Sequence, residues 1–256
     1  MADIAIERVS KVFATARKRT VALNETTLSI GEHETVCIVG PSGCGKTTLL
    51  NLIAGFLEPT AGTIRVGSST VSGPGADRAV VFQADAVFPW LSVAENVDYG
   101  MRMQGLPRSE RLARTERYLE LVGLGDFRKA YPKELSGGMR KRVDLARAYA
   151  SGPEVLLLDE PFGALDLFTK EAMWLALDRV VSAEPKTIVF VTHDIEEALF
   201  LGDRVIVMTP RPARVHSIVD VPFGPGRDLD LRATPEFQAL RNQIAHTLRE
   251  VHDDAA

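Results

Sequence analysis

Gly40, Pro41, Ser42, Gly43, Cys44, Gly45, Lys46 and Thr47, followed by Thr48, fit the pattern G-x-x-x-x-G-K-[ST], whose chemistry is the holding of a polyphosphate. Glycines at 40, 43 and 45 carry no Cβ. The backbone can therefore turn tightly and aim successive N–H groups at an anion where a helix begins. Lys46 would neutralise β- and γ-phosphate oxygens, and the Thr47 hydroxyl would take one position on Mg2+. A chance glycine-rich turn between a strand and a helix would look the same locally, so other residues must decide.

Asp159 and Glu160 follow the apolar run Val155, Leu156, Leu157, Leu158. A buried strand ending there would let Asp159 hold Mg2+ and let Glu160 polarise a water against the γ-phosphate; the alternative is a pair that merely caps the next turn. His193 ends another apolar run. It is either a structural histidine or a group that contacts the γ-phosphate and organises the water. Ser136, Gly137 and Gly138, with Leu135 before and Met139 after, stand just ahead of a helical stretch and make a second anion-binding turn. Two such turns separated by a helical segment are reconciled if they serve different copies of the chain. Phe13 is an aromatic between polar residues, either core or free to stack on a purine. Cys37 reads as a small core residue. Cys44 reads as a bystander in the loop, open to alkylation when the loop is empty.

The elements that must position these groups follow from periodicity. The segment 35–39 reads as a buried strand and 47–57 as a helix; 4–30 alternates as short antiparallel strands around the basic run Arg17, Lys18, Arg19. Strands are expected at 63–66, near Val71 and at 79–82, with Gln83 directly after the last. Amphipathic helices at 93–103, 108–122 and 139–150 then form a lobe inserted into the core. Beyond it, strands at 155–158, 186–191 and 204–208 alternate with helices at 169–181 and 195–201, the pattern of a mostly parallel sheet covered on both faces. A strand or two are expected around 214–221 in an irregular path. Thr234 caps a last helix whose stripe, Phe237, Leu240, Ile244, Leu248 and Val251, packs on the parent domain or, alternatively, on a second copy.

At 256 residues, 45% hydrophobic and with a net charge of −4, the chain is ordinary globular protein with no general attraction to nucleic acid. No apolar run is long enough to span a bilayer, and Asp3 and Glu7 stand where a signal peptide would be basic then apolar, which points to the cytosol.

In this order, the segments resemble the ATP-binding subunit of an ABC transporter over nearly the whole chain. On that resemblance 40–47 is Walker A, Gln83 the Q-loop, 135–139 the signature, 155–160 Walker B, Gly163, Ala164, Leu165 and Asp166 the D-loop, and His193 the switch histidine. Phe13 falls where the family stacks adenine. The resemblance implies an α/β fold: a P-loop, RecA-like core with an N-terminal antiparallel β-subdomain and an α-helical subdomain at about 84–150, together spanning 1–230, plus a C-terminal helix over 231–256. It implies ATP and Mg2+ as cofactors. Residues 40–48, Phe13, 136–139 and Asp166 would surround nucleotide, Thr47, Gln83 and Asp159 the metal, and Glu160, His193 and Gln83 would do catalysis. It further implies a head-to-tail homodimer in which Ser136 and Gly138 of one copy complete the site built on Lys46 of the other. Met139 departs from the usual glutamine and cannot donate that side-chain hydrogen bond.

Gly73, Pro74, Gly75, Ala76, Asp77 and Arg78, the stretch 82–96 with Phe88 and Trp90, the stretches 161–168 and 192–198, and Pro210, Arg211 and Pro212 are similar to nitrate, sulfonate and taurine importers. That implies integral membrane permease subunits as partners, a solute-binding protein acting indirectly, and a place on the cytoplasmic face of the inner membrane. The surface at 83–96 would receive a coupling helix from the permease; burial of Phe88 and Trp90 inside the helical lobe is the alternative. An exporter subunit and a non-transport ABC ATPase are the competing readings. The latter needs a long coiled coil before the signature, and the roughly 50 residues between Gln83 and Leu135 carry no sustained heptads.

Overall fold

The computed structural model describes residues 2–15 and 18–253; Arg17 of the basic run lies outside the described residues. In chain order β1 (Ile4–Ala14), β2 (Arg19–Ile30), β3 (Thr35–Val39), α1 (Lys46–Ala54), β4 (Ala61–Val66), β5 (Ser69–Thr70) and β6 (Arg78–Val81) lead into α2 (Val93–Met103), α3 (Arg108–Leu121) and α4 (Gly137–Ala150). They are followed by β7 (Val155–Asp159), α5 (Leu167–Ala183), β8 (Thr187–Val191), α6 (Ile195–Leu201), β9 (Arg204–Met208), β10 (Val215–Asp220) and α7 (Pro235–Asp253).

The larger sheet has the order β10-β9-β3-β8-β7-β6, parallel throughout except for β10. Side chains on a strand alternate between faces, and here both faces are covered. Cys37, Val39, Leu156, Leu158, Ile188 and Phe190 face a cluster built with α4, α5, α6 and α7. Val36, Ile38, Leu157 and Val189 face α1 and the smaller sheet. This two-sided burial is why β3, β7 and β8 read as unbroken apolar runs.

The smaller sheet has the order β2-β1-β4-β5 and is antiparallel. Its first two strands run to 11 and 12 residues, longer than the short strands expected from sequence. Buried Ile4, Ile6 and Val9 fall out of strict alternation, and register shifts after Ile6 and after Val9 absorb the break, so pairing continues where the pattern seems to stop.

α1 ends at Ala54, earlier than expected, because Gly55 takes a left-handed conformation (φ 79°) and Phe56 N–H turns back to the Asn51 carbonyl. A Cβ on Gly55 would lie 2.1 Å from the Gly73 carbonyl oxygen. Gly55→Ala is therefore expected to lower stability by about 2 kcal/mol, through left-handed strain and displacement of the 73–75 turn, read as a fall in the urea midpoint at unchanged m-value.

The three helices between β6 and β7 pack on one another, and α4 also touches β6 and α5. At the other end of the chain, Phe237, Ile244 and Val251 of α7 are buried, and the rings of Phe223 and Phe237 stack at 5.8 Å. The C-terminal stripe packs on its own domain. Thr234 accepts the Phe237 N–H at 3.3 Å, as its sequence position suggests.

Candidate functional site

Parallel strands end together at one edge of the sheet, and the reactive side chains stand at those ends. The glycine loop crosses from β3 to α1, with Gly45 (φ 130°) ahead of Lys46. The Lys46 side chain is buried, and its ammonium donates to the carbonyls of Gly40 (2.9 Å) and Pro41 (3.2 Å). A buried cation satisfied only by loop carbonyls, in a cradle of small residues at a helix start, fits an anionic oxygen that would replace them.

Next along, in the first turn of the helix, the Thr47 hydroxyl donates to Asp159 Oδ1 at 3.0 Å. Burial raises the Asp159 carboxyl above its ordinary range; the Thr47 hydrogen bond opposes this, the Glu160 charge adds to it, and Lys46 opposes it. Among the described residues no group of three or more His, Cys, Asp or Glu could hold a metal. Thr47 and Asp159 instead bring two oxygens together, a donor type that suits Mg2+ but is too few to hold it without ligands from outside the chain.

The β7–β8 register pairs Asp159 with Val191, bringing the residues beyond them, Glu160 and His193, face to face. Glu160 Oε2 lies 3.0 Å from His193 Nδ1. Glu160 has φ 45°, an uncommon conformation for a residue with a Cβ, fixed by its N–H to the Val191 carbonyl and by the Gly163 N–H to its own carbonyl. Gly163 lines the same corner: a Cβ there would sit 3.5 Å from the His193 ring.

Gln83 follows β6, whose Val81 pairs with Leu158, so Gln83 reaches the same edge. Its backbone is held by a residue the sequence reading missed. Lys141 of α4, 4% exposed, donates to the carbonyls of Phe82 (2.9 Å), Gln83 (2.7 Å) and Ala84 (3.1 Å). Arg140 pairs with Asp85, and Arg147 donates to the Ala86 carbonyl. The available signal was a lysine on the apolar face of α4, one turn before Leu145 and two before Ala148. Burial lowers the Lys141 pKa, with Asp144 and Asp85 opposing.

Ser136 caps α4 by accepting the Met139 N–H at 3.2 Å, and the Met139 side chain packs on the core. That N–H is thus already engaged, leaving Gly137 and Gly138 as first-turn donors without intrahelical acceptors. Gly138 is tightly fitted: a Cβ would lie 2.3 Å from Thr169 Cγ2. Thr169 in turn donates from its N–H (3.1 Å) and hydroxyl (2.6 Å) to Asp166, which caps α5. The 136–139 turn and the 163–166 turn therefore meet at Thr169. No hydrogen bond or ion pair among the described residues joins 135–139 to 40–48.

Phe13 is 41% exposed on β1, with the Lys11 ammonium 5.3 Å from its ring centre, so it is surface rather than core. Trp90 is 70% exposed. Phe88 is half-buried between the Trp90 and Tyr99 rings, under the Arg147 guanidinium. The two aromatics thus divide the expected alternatives between them. Cys37 is buried, as a core residue should be; Cys44 is buried too, 2% exposed, so its expected openness to alkylation does not hold here, and both thiols are free.

Comparison with known proteins gives concordant results. A family described as ABC transporter matches residues 23–163. A putative ATP-binding protein of Brucella abortus is 48% identical over 228 residues, 89% of this chain and 88% of that protein. Proteins named taurine import ATP-binding protein TauB are similar over nearly full length: 47% identical in Rhizobium johnstonii, covering 97% of each chain, and 44% in Jannaschia sp., covering 99% and 97%. Among solved structures, the dimeric ABC transporter cassette MJ0796 is 32% identical with a TM-score of 0.75, covering 86% of this chain and all of its own. A post-hydrolysis dimer of the same cassette, bound to ADP and Pi, is 30% identical with a TM-score of 0.73.

Proposed function

The chain belongs to the ABC transporter family, and on that premise we propose that it hydrolyses ATP to drive uptake of a small sulfonate, taurine foremost. It is the ATPase subunit of an importer. The single observation that carries the mechanism is the convergence of Lys46, Thr47, Asp159, Glu160 and His193 on one sheet edge.

The exposed Phe13 ring offers a stacking face for adenine. The triphosphate lies along the 40–48 loop, where Lys46 exchanges its two carbonyl partners for β- and γ-phosphate oxygens. Thr47, Asp159 and Gln83 would hold Mg2+, which would supply neutralisation of charge on those oxygens. Glu160 accepts a proton from the attacking water, and His193, 3.0 Å from it, orients both the carboxylate and the γ-phosphate. Asp166, engaged as a helix cap, holds the 163–166 turn in place beside the nucleotide.

The site is completed by a second copy in head-to-tail arrangement, whose Ser136 hydroxyl and Gly137 and Gly138 N–H groups face the γ-phosphate. The lack of any link between 135–139 and 40–48 within one chain supports this, as do the dimeric MJ0796 cassettes. ATP then favours the closed pair and ADP does not, because only the triphosphate is held from both sides.

The exposed Trp90 and the stacked Phe56–Phe82 pair flank the Gln83 segment and form the surface that receives permease subunits. Attachment to the cytoplasmic face of the inner membrane is through those subunits; among the described residues no helix is long and apolar enough to cross a membrane. A solute-binding protein acts through the permease, and nucleic acid is no partner.

The test is growth of the source cell, with and without this subunit, on taurine as sole sulfur source against sulfate, together with phosphate release by the purified chain in Mg-ATP. Loss of growth on taurine alone, with measurable phosphate release, is expected. Unimpaired growth on taurine overturns the solute assignment; absence of phosphate release overturns the enzymatic one.

A further inference from the structure

The phosphate loop is buttressed from outside by the turn between β9 and β10. A Cβ on Gly40 would meet the Met208 carbonyl oxygen at 3.0 Å, and one on Gly45 would meet Ala213 Cβ at 3.3 Å. Between these two contacts, Arg211 donates from Nε (3.1 Å) and Nη2 (2.6 Å) to the carbonyl oxygen of Gly43. The turn that carries Arg211 is itself fixed. Thr209 N–H donates to the Arg214 carbonyl, and Arg214 N–H to the Thr209 hydroxyl. Buried Ala213 is tied to β2 through the Ala22 carbonyl and the Asn24 N–H.

We propose that Arg211 is a positioning residue for nucleotide binding: it pins the Gly43 carbonyl outward so that the N–H groups after it stay aimed into the cradle. The inference rests on the nucleotide-binding reading of the loop and adds to it a residue outside every motif of that reading. Its physical basis is a change of partners on binding. In the structure the loop is held from inside by Lys46, which bonds the Gly40 and Pro41 carbonyls. When Lys46 turns to a phosphate those two bonds are given up. Arg211 is then the side chain still holding a carbonyl at the crown of the loop, where Gly43 has φ 71°. Removing it weakens the filled loop more than the empty one, and it acts on any nucleotide with α- and β-phosphates, because Gly43 belongs to the cradle and not to the γ-phosphate contacts.

The experiment compares wild type, Arg211→Met, Arg211→Lys and Lys46→Ala as full-length chains. For Arg211→Met, ATP and ADP affinities are both expected to fall about tenfold, the scale of a charge-assisted hydrogen bond discounted for exposure. KM for ATP rises in parallel, kcat at saturation stays within about twofold, and the thermal midpoint is unchanged. Lysine, which can donate once to the same carbonyl, recovers part of the affinity. Affinities within twofold of wild type, or a loss of ATP but not ADP affinity, overturn the clamp. So does a fall in kcat at unchanged KM. Lys46→Ala separates the two levels: if it leaves ATP binding intact, the reading of the loop fails; if it abolishes binding while Arg211→Met does not weaken it, only the clamp fails.

Discussion

Glu160→Gln is expected to lower ATP turnover by about 10²–10⁴-fold while leaving ATP binding intact, the range lost when a general base is removed. The substitution is nearly isosteric. The backbone bonds that fix residue 160, to Val191 and from Gly163, do not involve the side chain. Nor does Glu160 contribute to the cradle: Lys46 bonds loop carbonyls, and Thr47 bonds Asp159. What changes is proton affinity at one point. A carboxylate 3.0 Å from the His193 ring can take a proton from water, and an amide cannot. Because ATP binding and closure of the pair precede that transfer, the variant accumulates as an ATP-bound dimer. Single-turnover phosphate release, run beside equilibrium binding of ATP, reads the two effects separately. Turnover close to wild type would remove Glu160 from the role of base. A parallel loss of binding would make it a structural residue.

The parts of this site that could be read in the chain are those where one residue type has one physical reason to be present. Val155 to Leu158 are all apolar because β7 is covered on both faces, and a carboxylate pair closing such a run has few explanations. Glycines at 40, 43 and 45 mark a loop that turns tightly, and Gly43 (φ 71°) and Gly45 (φ 130°) take conformations that favour glycine, while a Cβ on Gly40 would meet the Met208 carbonyl oxygen at 3.0 Å. Legibility failed where two distant segments settle a question together. Neither Lys141 nor Arg211 reveals its partners in the sequence, yet each donates to backbone carbonyls far along the chain. The end of α1 was misplaced because Leu57 prolongs the apolar periodicity past Gly55, and periodicity alone gives no weight to a left-handed glycine packed on Gly73. Asp166 showed a motif position but not its use as the cap of α5, which only the fold of the 163–169 segment displays.

Ser136→Arg and Lys46→Ala, each nearly inactive alone, are expected to restore hydrolysis when mixed. Ser136 is exposed at the start of α4, so arginine there loses a helix cap worth about 1 kcal/mol but clashes with nothing buried in its own chain. The variant should stay folded and bind ATP as a monomer, since Phe13 and 40–48 are untouched. Its defect lies in what it lends to its partner. In a head-to-tail pair of one Ser136→Arg chain and one Lys46→Ala chain, the first supplies an intact Lys46 and the second an intact Ser136, so one of the two composite sites is whole and the other carries both lesions. Random mixing makes half of the pairs of this kind, so the mixture should reach up to roughly a quarter of wild-type turnover, against about 10²-fold losses for either variant alone. If each chain instead completed its own site, no pairing could join the intact halves. The mixture would then show only the sum of two weak activities, and the shared site would have to be abandoned.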